Sequence, residues 1–134
     1  MTDKELILKL ELKYRLNSYE LPEFSRVDGY LIRGNQIKYW VERKVRNVPF
    51  DAYPDAVVDL AKWQALLHME QITTIPAILA YGWSCGTWGV VQPSKVKLWK
   101  SSSMTPSLDS VSLNAGVNRD VVHIYLNDFE VHKV

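Results

Sequence analysis

Apolar and polar positions alternate along the first segment: Leu8, Leu10, Leu12, Tyr14 and Leu16 interleave with Lys9, Glu11, Lys13 and Arg15, the period of a strand. The residue types argue the other way. Leu, Lys, Glu and Arg are strong helix formers, and Ile7 is the only β-branched residue from Asp3 to Leu16. Thr2 with Glu5 makes a capping box, and Glu5–Lys9 and Glu11–Arg15 are favourable i,i+4 pairs. A helix from Thr2 to about Asn17 is therefore expected. Ser18 to Ser25, with Pro22, reads as a polar connection. Arg26 to Arg46 (RVDGYLIRGNQIKYWVERKVR) then reads as a β-hairpin with Gly34-Asn35 at its tip.

Asn47 to Pro54 is a loop with two prolines, and Pro54 suits the first turn of a helix running from Asp55 to about Gln71, with Val58, Ala61, Leu66 and Met69 in a broadly helical pattern. Ile75–Trp83 and Thr87–Gln92 read as strands joined by a short turn, Lys95–Lys100 as a candidate strand, and Val121–Leu126 as a closing strand. Ser101 to Asn118, rich in Ser, Asn and Gly, reads as a flexible loop or insertion. The expected class is α/β, in the order α-β-β-α-β-β with one or two further strands.

Length and composition narrow the class without naming a function. The 134 residues, 47% hydrophobic and 23% charged, suit one domain spanning 1–134. A net charge of +1 gives no global polyanion signal, so any nucleic-acid affinity has to come from local clustering. The single Cys85 excludes a disulfide framework and a multi-cysteine zinc site. No signal peptide and no apolar run of bilayer length is evident, so a cytoplasmic location and no membrane partner are expected.

The hairpin carries the candidate chemistry. Glu42 and Lys44, two apart on its second strand, project from one face. A three-residue loop, Gly34 to Gln36, sets Asp28 opposite Glu42; a two-residue loop sets it opposite Val41, next to Glu42. Directly opposed side chains lie roughly 5 Å apart at Cβ, close enough for two carboxylates to share a divalent cation. Such a cation supplies the Lewis acidity that phosphodiester hydrolysis needs. Asp28 and Glu42 are its expected oxygen ligands, with the Arg43 backbone carbonyl as a further donor. Lys44 is placed to orient the nucleophile or stabilise developing charge.

Asp28, a spacer that turns a hairpin, then Glu42-Arg43-Lys44 resembles the PD-(D/E)XK nuclease superfamily, the restriction-endonuclease-like fold. The resemblance covers roughly Thr2 to Gln92 and is nearest in layout to the small archaeal Holliday-junction resolvases. Val27 stands where the motif's name has proline. The resemblance implies a mixed central sheet flanked by helices, Mg²⁺ or Mn²⁺ as cofactor, and DNA as substrate. It also implies an early helical glutamate as a further ligand, for which Glu5 is the better positional match and Glu11 the second. On the second helix, Lys62, Gln64 and His68 occupy positions where some members turn polar groups to the site; Gln64 and His68 loosely resemble a Gln-x-x-x-Tyr element.

Basic and polar residues gather where a phosphate backbone would pass. Arg43, Lys44 and Arg46 follow one another along the motif strand, Arg26 and Arg33 lie on its partner, and the next loop adds Asn47 and Tyr53. Such groups position a backbone without reading its sequence. The expected activity is metal-dependent hydrolysis of DNA in recombination, repair or phage-type processing, in the host cytoplasm if the source is viral. A chain this small favours branched or otherwise structured DNA over a long base sequence, and a symmetric junction would require a homodimer. The alternatives are an RNA-cutting nuclease and a non-catalytic nucleic-acid-binding or assembly module of the same fold.

Overall fold

The computed structural model describes residues 1–104 and 119–133. A six-stranded mixed sheet forms its centre, in the order β1-β2-β3-β5-β6-β9, and a three-stranded antiparallel sheet, β4-β8-β7, packs beside it. The strands are β1 (Asn17–Glu20), β2 (Gly29–Arg33), β3 (Gln36–Val45), β4 (Asp55–Asp59), β5 (Ala77–Gly82), β6 (Trp88–Val91), β7 (Lys100–Met104), β8 (Arg119–Tyr125) and β9 (Glu130–His132); the helices are α1 (Asp3–Tyr14) and α2 (Leu60–Thr73). Only β3 and β5 run parallel in the large sheet. The α/β class and the helix-flanked mixed sheet expected from the sequence are both present.

The first helix resolves the ambiguous leucine pattern. Leu6 and Leu10, i,i+4 neighbours, are fully buried, whereas Leu8 and Leu12 face solvent, so the apparent strand period is divided between two sides of one helix. Thr2 caps it, its hydroxyl accepting the Glu5 backbone N–H at 3.1 Å. Arg15, in the left-handed region at φ 55°, ends it.

The sheet divides two cores. Leu6, Leu10 and Leu16 pack on Leu31, Val41, Ile78, Ala80 and Val90 on one face. On the other, Trp63 and Leu66 of α2 meet Leu79, Tyr81 and Val91, together with Ala56 and Val58 of β4 and Val122 and Ile124 of β8. A hydrogen-bonded chain spans the small sheet: Ser102 Oγ and His123 Nε2 are 2.7 Å apart, and His123 Nδ1 lies 3.2 Å from Asp55 Oδ2. These three residues stand on β7, β8 and β4, so the chain clamps all three strands together.

Several boundaries differ from expectation. Residues 18–20 of the expected polar connection belong to β1, where Tyr19 stacks on Tyr30 at 5.8 Å and opposes it in register. The expected helix from Asp55 begins only at Leu60, because Ala56-Val57-Val58 alternates buried and half-buried positions as β4 instead. Lys95–Lys100 is not a strand: Pro93–Lys95 forms a 3₁₀ turn and β7 starts at Lys100. That strand takes residues 101–104 of the expected loop, whose remainder, 105–118, lies outside the described residues. The short β9 pairs with β6 at the sheet edge.

Candidate active site

The hairpin has a two-residue tip, since Arg33 pairs with Gln36, and Gly34 takes φ +60°, which glycine accepts without strain. Yet Gly29 pairs with Val41, so Asp28, the next residue, is level with Glu42. The two expected alternatives are reconciled by a β-bulge. Leu31 faces Tyr39 and Ile32 faces Ile37, leaving Lys38 as one extra residue on β3 that shifts the register by one. Asp28 itself lies one residue before β2 rather than on the strand. Gly29 is needed beside it: a Cβ there would stand 2.2 Å from the Tyr19 carbonyl oxygen.

β3 presents two chemically distinct faces. The N–H groups of Trp40 and Arg46 point to β5, donating to Pro76 and Gly82 carbonyls at 2.9 Å. The Arg43 N–H points the other way and donates to Asp28 Oδ2 at 2.9 Å. A strand residue's N–H and C=O project from the same edge, so the Arg43 carbonyl is also presented on the Asp28 side. Glu42 projects beneath α2, and among the described residues it is the one polar or charged residue in the fully buried class, at 5% exposure. Its Oε1 has no hydrogen-bond partner; the nearest cation is Lys62 Nζ at 3.9 Å. Burial, then a hydrogen bond to the Asp28 carboxyl and that group's charge, push the Glu42 pKa up to about 8, against the opposing pull of Lys62 and Arg43. Lys44, on the same face by alternation, is exposed.

The Arg43 side chain occupies the opposite face, beneath the start of α1. Its nearly buried guanidinium holds Asp3 through two hydrogen bonds, at 2.8 and 3.2 Å, and Glu20 at 2.6 Å. Burial pulls its pKa down, but Asp3 and Glu20 outweigh that and hold it above its ordinary value. Arg43 thereby ties α1 and β1 to the motif strand.

Residues 2–131 match a family described as "Phage putative PDDEXK endonuclease". The chain belongs to this phage PDDEXK endonuclease family. Its fold is similar to that of Hjc, a Holliday junction resolvase of Archaeoglobus fulgidus, with a TM-score of 0.56, 12% sequence identity, and coverage of 95% of this chain and 83% of that one. No curated protein sequence matches the chain.

Against the PDDEXK motif, the remaining expected residues fall into three groups. Lys62 reaches Glu42, and with Ser25, Arg26, Ala61, Gln64, Ala65 and His68 it lines a cavity of about 610 Å³. Arg26 is not on the hairpin strand as expected but in the loop before it, its guanidinium against His68 Nδ1. Arg46 lies over the Tyr53 ring at 6.0 Å, with Asn47 exposed beside it. Glu5 and Glu11 are not gathered with the acid pair: Glu5 is exposed on α1, Glu11 accepts the Ser18 N–H at 2.9 Å, and among the described residues no three His, Cys, Asp or Glu are grouped to hold a metal. Trp40 donates to Thr73 Oγ1 at 2.9 Å and packs on the core. Sequence reasoning missed Asp3 and Glu20 as the partners of Arg43; the unlike faces of adjacent strand residues were the available signal. No helix among the described residues is long and apolar enough to cross a membrane.

Proposed function

We propose that the chain hydrolyses DNA phosphodiester bonds with a divalent cation, Mg²⁺ or Mn²⁺, held by Asp28, Glu42 and the Arg43 carbonyl. The supporting observation is the buried Glu42 carboxyl, which meets a second carboxyl, has its nearest cation 3.9 Å away and leaves Oε1 without a hydrogen bond. A carboxyl pair whose held proton a hard cation can displace suits such a cation, and a structural pair of acids would be costly to retain. The cation supplies Lewis acidity at the phosphate. Asp28 is fixed by the Arg43 N–H at Oδ2, so its carboxyl is oriented without reorganisation. Lys44, exposed on the Glu42 face, orients the attacking water and stabilises charge on the phosphate. Lys62, Gln64, Arg26, Arg46, Asn47 and Tyr53 position the backbone. Glu5 enters the site only through a rearrangement of α1's first turn. Structured DNA is the favoured substrate, and cutting both strands of a symmetric junction calls for a homodimer.

The test is cleavage of linear, single-stranded, nicked and four-way-junction DNA, with and without Mg²⁺ or Mn²⁺. Glu42→Ala and Lys44→Ala are each expected to lower the rate by on the order of 10²–10³-fold. Full activity in both variants, or no cleavage of any substrate by the native chain, would overturn the proposal.

A further inference from the structure

The loop from Leu21 to Asp28 ends at a proposed ligand and lifts one aromatic side chain into solvent. Phe24 is 96% exposed, the most exposed large apolar residue among those described, ahead of Leu12 at 79%. The loop is nevertheless anchored. The Leu21 N–H donates to the Asp28 carbonyl at 2.9 Å, and the Ser25 N–H donates to the Pro22 carbonyl at 2.9 Å. Val27 is buried in the α2-side core and Leu21 packs against it. An apolar ring is therefore displayed on a braced turn, with Leu21 half-buried at its start and Val27 buried near its end.

Its surroundings define the partner. Ser25 and Arg26, the next two residues, line the 610 Å³ cavity together with Lys62, Gln64 and His68 of α2. Lys62 connects that cavity to Glu42. Two cations and an amide donor suit a phosphodiester backbone, and a bare aromatic ring on the residue just before Ser25 suits the face of a base. A base inside a duplex has to be unstacked before it can meet such a ring; one at a fork or branch is already free. Resting on the nuclease reading above, we propose that Phe24 stacks on an unpaired base next to the scissile position while the Ser25–His68 cavity takes the attached backbone, and that this contact selects branched over fully paired DNA.

The experiment measures binding of the full chain, in EDTA, to a forked duplex carrying 2-aminopurine at its first unpaired position and to a fully paired duplex of the same length. Phe24→Ala is expected to weaken fork binding about 5- to 100-fold and duplex binding less than twofold, and to abolish the fluorescence change at the probe. Phe24→Trp is expected to restore both. Equal weakening on the two DNAs, an unchanged fork affinity, or a shift in oligomeric state on ultracentrifugation of Phe24→Ala would overturn the stacking role. In the last case the ring is a contact between copies. A native chain that cuts DNA while Phe24→Ala retains its fork preference removes this inference alone; a native chain that binds neither DNA removes the nuclease reading with it.

Discussion

The two faces of β3 hold similar side chains and treat them oppositely. On the α1 face, one nearly buried guanidinium meets two half-exposed carboxylates, Asp3 and Glu20. On the α2 face, a buried carboxyl meets another carboxyl, and the nearest cation stands 3.9 Å away on a flexible stem. The first arrangement is compensated in charge, even though Arg43 keeps one unbonded Nη1. The second is short of positive charge where desolvation makes the deficit most costly. Adjacent residues of one strand thus separate into a brace and a candidate site, and the deficit distinguishes them.

The largest test of that contrast is the pH dependence of stability without metal. Glu42's pKa rises from an ordinary 4.5 to about 8 on folding, so the folded chain holds a proton that the unfolded chain releases. For a carboxyl raised in this way, its stabilising contribution is complete below about pH 4.5, is lost as pH climbs toward 8, and changes no further above that. The loss is expected to be a few kcal/mol, roughly 5 at most. Thermal melts in EDTA should show a falling Tm across that window, flattened in Glu42→Gln, and Mg²⁺ should restore stability at pH 8 in the native chain alone. A flat native profile, or equal Mg²⁺ stabilisation of Glu42→Gln, would break the contrast.

Next in size is Arg43→Met. The aliphatic stem is retained, but Asp3 and Glu20 lose their partner and α1 loses its tie to β3. Since both acids are more than half exposed, the expected cost is about 2 kcal/mol rather than the 3–5 of a fully buried pair. Measured well below its Tm, the variant should retain cleavage within about threefold, whereas Glu42→Gln should not. Loss of activity without loss of stability would make Arg43 a participant rather than a brace.

The sequence conveyed the alternation of the motif strand better than the register and bounds of its framework. Strand alternation alone separates Glu42 and Lys44 from Arg43, and that local rule survived. Register did not follow from loop length, because Lys38 bulges and cancels the effect of the short tip. The strands β1 and β4 were hidden for different reasons. Asn17–Glu20 has the composition of a loop and becomes a strand through its partner, β2; Asp55–Asp59 adjoins a true helix whose pattern absorbed it. Lys62's approach to Glu42 depends on how α2 crosses the sheet, a long-range packing outcome that no local pattern carries.

The smallest expected effect sharpens the comparison most directly. Lys62 is 42% exposed, so Lys62→Ala should change stability at neutral pH by no more than about 0.5 kcal/mol. Lys62 nevertheless draws the Glu42 pKa down, and its removal deepens the charge deficit there while leaving the Arg43 face untouched. The Glu42 carboxyl titration, followed by carbon NMR in EDTA, should therefore move upward from about 8. An unmoved Glu42 would mean that the ammonium is too well solvated to count, leaving the acid pair without a compensating side-chain cation.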